Sequence, residues 1–203
     1  GYINSAIYSP DAKQLFITGS PQAFNAIGAN AGNHEIPNDF DGQGFIYTIA
    51  NGNVKPVTKE FDPALTGDPV WNTIDGNIYF LGETGFYKKI YSLNPRSGKI
   101  TELDSKIGYV FSFSIGDNEA QWLSYCGGDF TDTGIAYLLN LKNGKNRLID
   151  DPMQTELKDV RFGKMEPWKF TASDGTEIDG MMCLPPDFDP SKKYPLIVYY
   201  YGG

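Results

Sequence analysis

Long apolar runs are missing from this 203-residue chain. The longest spans six residues, Leu196 to Tyr201, against the ~20 that a bilayer-crossing helix requires, so no membrane span is expected. No charged-then-apolar stretch opens the chain either, which argues against a signal peptide at this N-terminus. Histidine occurs once, at His34, and cysteine twice, at Cys126 and Cys183, without a CxxC pair. That inventory excludes a structural zinc site, and the cysteines read as two separate buried thiols. Basic clusters are also lacking. Seventeen Lys and Arg face twenty-five Asp and Glu for a net charge of -8, and no basic run exceeds a pair such as Lys192-Lys193. A nucleic-acid partner would need a cationic footprint that is not there.

What the chain has in excess is turn-formers and aromatics: 23 glycines, 13 prolines, 13 tyrosines, 13 phenylalanines and 3 tryptophans. This mixture suits many short strands joined by tight turns and does not suit helix bundles. Three segments repeat an aromatic strand, a turn and a second strand: Phe45 to Val57, Ile90 to Leu103 and Ile135 to Ile149. Their turn glycines, Gly52, Gly98 and Gly144, are 46 residues apart in each step. Tyr47, Tyr91 and Tyr137 keep nearly the same spacing as an independent marker. Upstream of each lies another hairpin-like unit, starting near Tyr8, Val70 and Phe113, with Pro, Asp, Asn or Gly at its turn.

Four strands per repeat of roughly 40 to 50 residues predict β-propeller blades, because one four-stranded sheet must stack on neighbours to cover its faces. Three blades cannot close a ring, so residues 1-149 are expected to form the last blades of a larger propeller. The first repeat carries extra residues between Gly19 and Gly44. They lack a strand or helix period and read as an exposed loop, either a binding element or a tolerated insertion.

After Ile149 the blade pattern stops, and residues 150-167 read as a linker. In 168-203, two short strands flank Asp174-Gly175, a strong hairpin signal. Then come a proline-rich loop and the apolar run from Leu196, expected to be a strand covered on both faces. These residues, Ser173-Asp-Gly-Thr-Glu-Ile-Asp-Gly and Leu184-Pro-Pro-Asp-Phe-Asp-Pro-Ser-Lys-Lys-Tyr-Pro-Leu-Ile-Val-Tyr-Tyr-Tyr-Gly-Gly, resemble the opening of the α/β-hydrolase domain in the prolyl oligopeptidase family. The similarity is nearest the dipeptidyl peptidase IV branch. The expected fold class is therefore all-β: a partial propeller of about three four-stranded blades, followed by the first strands of an α/β-hydrolase domain.

The resemblance implies a fragment of a serine exopeptidase acting on short peptides, releasing dipeptides after proline or alanine, with the propeller gating access. It implies a peptide substrate and no cofactor. It also implies a periplasmic or secreted location, while the open ends of a three-blade arc lead to the expectation that the chain self-associates through its blade edges or that the parent dimerises. No Gly-x-Ser-x-Gly segment occurs, so the chain is expected to be truncated before the nucleophile and inactive alone. One functional position carries over by the resemblance: Tyr201, at the end of the strand before Gly202, corresponds to the tyrosine that donates its hydroxyl to the oxyanion. Read without the resemblance, Tyr199, Tyr200 and Tyr201 are core aromatics.

Other chemical candidates have plainer readings. His34 has no serine and carboxylate placed around it by the sequence and reads as a solvated loop residue. Asn38-Asp-Phe-Asp-Gly alternates like a calcium loop but lacks the closing glutamate. Gly127-Gly-Asp-Phe-Thr-Asp-Thr-Gly reads as a turn between blade strands. No metal site is expected. The rival reading is a propeller that binds a protein or glycan without chemistry, which would have no use for the Asp-Gly hairpin and the strand ending in Tyr-Gly-Gly.

Overall fold

The computed structural model describes residues 1-31, 40-116 and 122-200. His34, the Asn38-Asp39 half of the carboxylate run, and Tyr201 lie outside the described residues. The chain divides into two compact units, Gly1–Glu156 and Leu157–Gly203. It is nearly all β, as the turn-rich composition required.

The first unit holds three antiparallel four-stranded meanders. Blade 1 contains β1 (Ile3–Tyr8), β2 (Gln14–Gly19), β3 (Gln43–Thr48) and β4 (Asn53–Pro56), paired in that order. Blade 2 contains β5 (Ala64–Trp71), β6 (Ile78–Thr84), β7 (Tyr87–Leu93) and β8 (Ile100–Glu102). Blade 3 contains β9 (Tyr109–Ile115), β10 (Trp122–Gly128), β11 (Thr133–Asn140) and β12 (Asn146–Asp150). A single parallel pair, Lys88 with Tyr109, joins blades 2 and 3.

The 46-residue period has a specific local cause. Gly52, Gly98 and Gly144 all adopt positive φ, at 69°, 74° and 69°. Their amides donate to the carbonyls of Thr48, Asn94 and Asn140 at 2.9, 2.8 and 2.8 Å. Just before each glycine, Asn51 Oδ1, Ser97 Oγ and Asn143 Oδ1 accept the amides of Asn53, Lys99 and Lys145. These turns close the third and fourth strands of every blade, and the left-handed glycine is what permits them.

Side-chain alternation along each strand then feeds two faces. On blade 2, Ile78, Phe80, Tyr91 and Leu93 turn toward blade 1, where they pack with Phe16 and Ile46. Tyr79, Leu81 and Ile90 turn the other way and pack with Val110, Leu123, Tyr125 and Leu139 of blade 3. Phe80 is 1% exposed, and its ring lies against Tyr91 and, edge-on, against Phe61. Burying each such side chain contributes about 1.5–3 kcal/mol, which is why the blades hold together only as a stack. The repeating tyrosines share one rule: each looks away from the blade that follows it. Tyr91 belongs to the blade 1–blade 2 cluster, Tyr137 to the blade 2–blade 3 cluster, and Tyr47 to a cluster on the far face of blade 1.

That far face corrects one expectation. The insertion after Gly19 is not wholly exposed, because its described part folds back over blade 1. Ala23 is buried, and Phe24 and Ile27 pack with Ile17 and Phe45, the Phe24 and Phe45 rings meeting at 5.3 Å. The short helical turn α1 (Ala23–Ala26) carries left-handed φ at Phe24, Asn25 and Ala26. Such angles cost about 1–2 kcal/mol per non-glycine residue, and apolar burial offsets that cost.

Following β12, a four-residue helix, α2 (Met153–Glu156), ends the first unit. The second unit is a hairpin, β13 (Met165–Thr171) with β14 (Glu177–Cys183). Asp174-Gly175 forms its turn as read: Gly175 has φ 92°, and Asp174 Oδ1 accepts the Thr176 amide at 2.9 Å. Beyond it, Arg161 makes a bidentate ion pair with Asp187 at 2.8 and 2.9 Å.

Two expectations fail here. Leu196 to Tyr200 form no strand and are 71–92% exposed. A segment apolar on both sides needs a neighbouring strand at each edge, and the described residues supply none. Cys183 is exposed and Cys126 half-buried, both unpaired, so the thiols are separate but not buried. Trp168, Phe170, Ile178 and Met182 of the hairpin are exposed as well, and Cys183 shares that exposure.

Candidate functional site

Strand direction brings three connections to one end of the first unit. The β2–β3 insertion, the β6–β7 turn and the β10–β11 loop emerge there, beside the starts of β1, β5 and β9. β12 also ends there, because it runs antiparallel to β11. The glycine turns of the 46-residue period close the opposite end.

Two cavities open at the loop end. One, of about 520 Å³, lies between blades 1 and 2 and is lined by Asn4, Thr18, Thr66, Asp68 and Glu83 among others. The other, of about 260 Å³, lies between blades 2 and 3, where aromatic side chains of both blades surround Asp129 and Asp132. Asp129 is not a free loop carboxylate. Its Oδ1 accepts the Gly108 amide at 2.6 Å, pinning the β10–β11 loop to the entry of β9.

Charge at this end is predominantly negative. Burial, and then the charge of Asp62, hold the Asp41 carboxyl above its usual range. Two lysines reach this end: Lys88 stands 3.3 Å from Glu83 and 4.6 Å from the centre of the Tyr109 ring, and Lys89 donates to the Ile107 carbonyl at 2.8 Å. Burial alone would lower the Lys88 ammonium, but the Tyr109 hydroxyl and the Glu83 charge outweigh that and raise it. Tyr109 in turn donates its hydroxyl to Glu83 Oε1 at 3.1 Å.

Tyr201 and His34 fall outside the described residues, so nothing of their geometry enters here. Tyr199 and Tyr200 are exposed and lie in no strand, so the alternation expected for them has no sheet to act on. Of the carboxylate run near Asp41, Phe40 is exposed. Among the described residues, no three His, Cys, Asp or Glu side chains gather as a metal site. Of the Gly127–Gly134 run, Asp129 to Asp132 form the turn between β10 and β11, as read, and its ends belong to the two strands. What the sequence reading missed is the aromatic cavity. Its faint signal was Phe86 and Phe130, bulky apolar residues placed in turns.

No family model matches the chain. It is 26% identical over 160 residues to dipeptidyl-peptidase 5 of Porphyromonas gingivalis, an alignment covering 78% of this chain and 23% of that protein. Over 59 residues it is 41% identical to the prolyl endopeptidase FAP of Bos taurus, covering 28% of this chain and 8% of the other. The chain resembles a fragment of a prolyl oligopeptidase family peptidase. It spans about a quarter or less of the length of these relatives. Among solved structures, the Pyrococcus horikoshii acylaminoacyl peptidase superposes with a TM-score of 0.62 at 18% identity, covering 94% of this chain and 26% of that one. At that identity the likeness concerns the fold: the stacked blades of this oligopeptidase-like fragment have a counterpart in a solved peptidase.

Proposed function

We propose that this chain is a portion of a serine exopeptidase that removes dipeptides from the N-terminus of short peptides, after proline or alanine, in the periplasm or outside the cell. The observation that carries this reading is the alignment with dipeptidyl-peptidase 5, which extends over 78% of the chain. A propeller that only binds a partner gives no reason for the Asp174-Gly175 hairpin and the apolar run that follow the blades. In this reading the blades restrict which peptides enter, and the nucleophile, its acid and its histidine are contributed by sequence beyond this chain. The isolated chain is then inactive.

Tyr201 is the residue of this chain assigned to the chemistry. In the full-length protein, a hydroxyl fixed beside the scissile carbonyl stabilises the developing oxyanion without reorganisation, and such a donor acts on the transition state rather than on bound substrate. The test uses the full-length protein with Gly-Pro- and Ala-Pro-p-nitroanilide. Turnover is expected, together with labelling by a fluorophosphonate, while the present chain shows neither. Tyr201→Phe is expected to lower kcat by about 100- to 1,000-fold with KM little changed, and Tyr199→Phe to leave it near normal. A full-length sequence without a Gly-x-Ser-x-Gly serine would overturn the peptidase reading. Normal kcat in Tyr201→Phe would remove Tyr201 from it.

A further inference from the structure

We propose that the cavity between blades 2 and 3 receives one cationic side chain, arginine or lysine, of a bound peptide; the peptide, though not the cavity, rests on the function proposed above. At about 260 Å³ the cavity falls below the roughly 300–1,000 Å³ typical of sites for whole small molecules and suits a single long side chain. Tyr87 and Tyr109 reach it from β7 and β9, and Phe130 from the β10–β11 loop. Tyr87, Phe111 and Phe130 remain 40%, 51% and 42% exposed, an aromatic cluster left open at the mouth of a built cavity. Aromatic faces attract cations and also cover the methylene stem behind a charged head.

The carboxylates choose the sign. Asp129 and Asp132 both line the cavity, so an anionic ligand would be repelled and a purely apolar one would strip water from two charges without compensation. Asp129 is held in place by the Gly108 amide, so its carboxylate needs little ordering when a cation arrives. The molecule already shows the same chemistry from within: Lys88 stands over the Tyr109 ring. Lys88 does not cancel the site, because Glu83 neutralises it at 3.3 Å.

The experiment uses the present chain, ¹⁵N-labelled, which keeps the cavity and lacks the proposed nucleophile, acid and histidine. Three blocked or unblocked probes are titrated: acetyl-Gly-Arg-Gly-amide, the same peptide with neutral citrulline for arginine, and Gly-Gly-Gly-amide with its free amine. The arginine peptide is expected to shift the amides of Gly108 and Asp129 saturably, and citrulline to bind about tenfold or more weakly. Asp129→Asn, which retains an acceptor for the Gly108 amide, is expected to weaken the arginine peptide by a similar factor. Equal binding of arginine and citrulline, or no saturable shift at Gly108, overturns the proposal, and neither measurement depends on a variant folding. Shifts at the same amides by Gly-Gly-Gly-amide of equal strength would assign the cavity to a terminal amine and overturn the side-chain assignment. Loss of this binding would leave dipeptide release by the full-length protein untouched, and absence of that turnover would leave the binding untouched, so the two readings fail separately.

Discussion

Phe80 and Phe170 sit in equally regular antiparallel strands, yet one is 1% exposed and the other 43%. Phe80 lies in a blade with neighbours on both faces, and Phe170 in a hairpin whose visible support is the stacked ring of Trp168 at 5.2 Å. Hydrogen-bonded pairing is present in both places. What separates them is the second layer, and a two-stranded hairpin without one is marginally stable in water.

The comparison is tested most severely by truncating each ring. Phe80→Ala is expected to destabilise the first unit by about 3–5 kcal/mol, lowering its melting temperature or unfolding it. Phe170→Ala should leave that melting temperature unchanged. An equal effect of both substitutions, followed by calorimetry, would show that the hairpin is part of the same cooperative core.

Alkaline titration should also divide the two regions. Burial, then its hydrogen bond to Asp75 and that group's charge, pushes the Tyr79 hydroxyl well above its ordinary value. Burial and the Glu102 charge push Tyr91 up to about 12. Burial, then the charges of Tyr137 and Asp104, outweighs a hydrogen bond with the Lys106 amide and pushes Tyr125 up to about 12. These groups are protonated in the folded state at pH values where the unfolded chain has begun to lose its protons. Their stabilisation is therefore complete below about pH 10 and is lost as pH rises through the folded values. Denaturant midpoints measured between pH 8 and 12 should stay level and then fall; a midpoint that rises above pH 10 would contradict the burial of these hydroxyls.

Replacing the turn glycines probes a smaller effect. At Gly98, Gly144 and Gly175 an added Cβ would meet nothing within 4 Å, so any penalty comes from the backbone angle alone. Gly98→Ala and Gly144→Ala should each cost about 1–2 kcal/mol, while Gly98→Asn should cost less, since asparagine tolerates left-handed φ. Gly175→Ala should not move the thermal transition of the first unit. The smallest change concerns association. If the exposed run from Leu196 mediates it, a chain ending at Tyr194 should scatter less light at high concentration than the whole one. Unchanged scattering would point instead to the uncovered blade faces.

Much of this organisation was legible because it is local. Gly52, Gly98 and Gly144 announce their turns by a conformation few other residues accept, and the blades follow from the strands between them. Asp174-Gly175 announced its hairpin in the same way. The insertion was misread because Phe24 and Ile27 have no period of their own; they are partly covered by a blade face to which β3 contributes Phe45, a residue distant along the chain. The run from Leu196 to Tyr201 was read as a strand from its unbroken apolar character and the resemblance, although pairing depends on neighbouring strands that the described residues do not provide for Leu196 to Tyr200. The aromatic cavity was invisible for a third reason. Tyr87, Tyr109 and Phe130 belong to three separate segments of two blades, and no spacing rule links them.

The sequence by itself determined the turns, the blade period and the hairpin, because each depends on residues near one another along the chain. The tertiary structure alone decided which face of each blade is buried, what covers Tyr47, and that Asp129 joins aromatic rings from a neighbouring blade. Stacking decides these matters through contacts between distant segments, and those contacts depend on how whole sheets fit together.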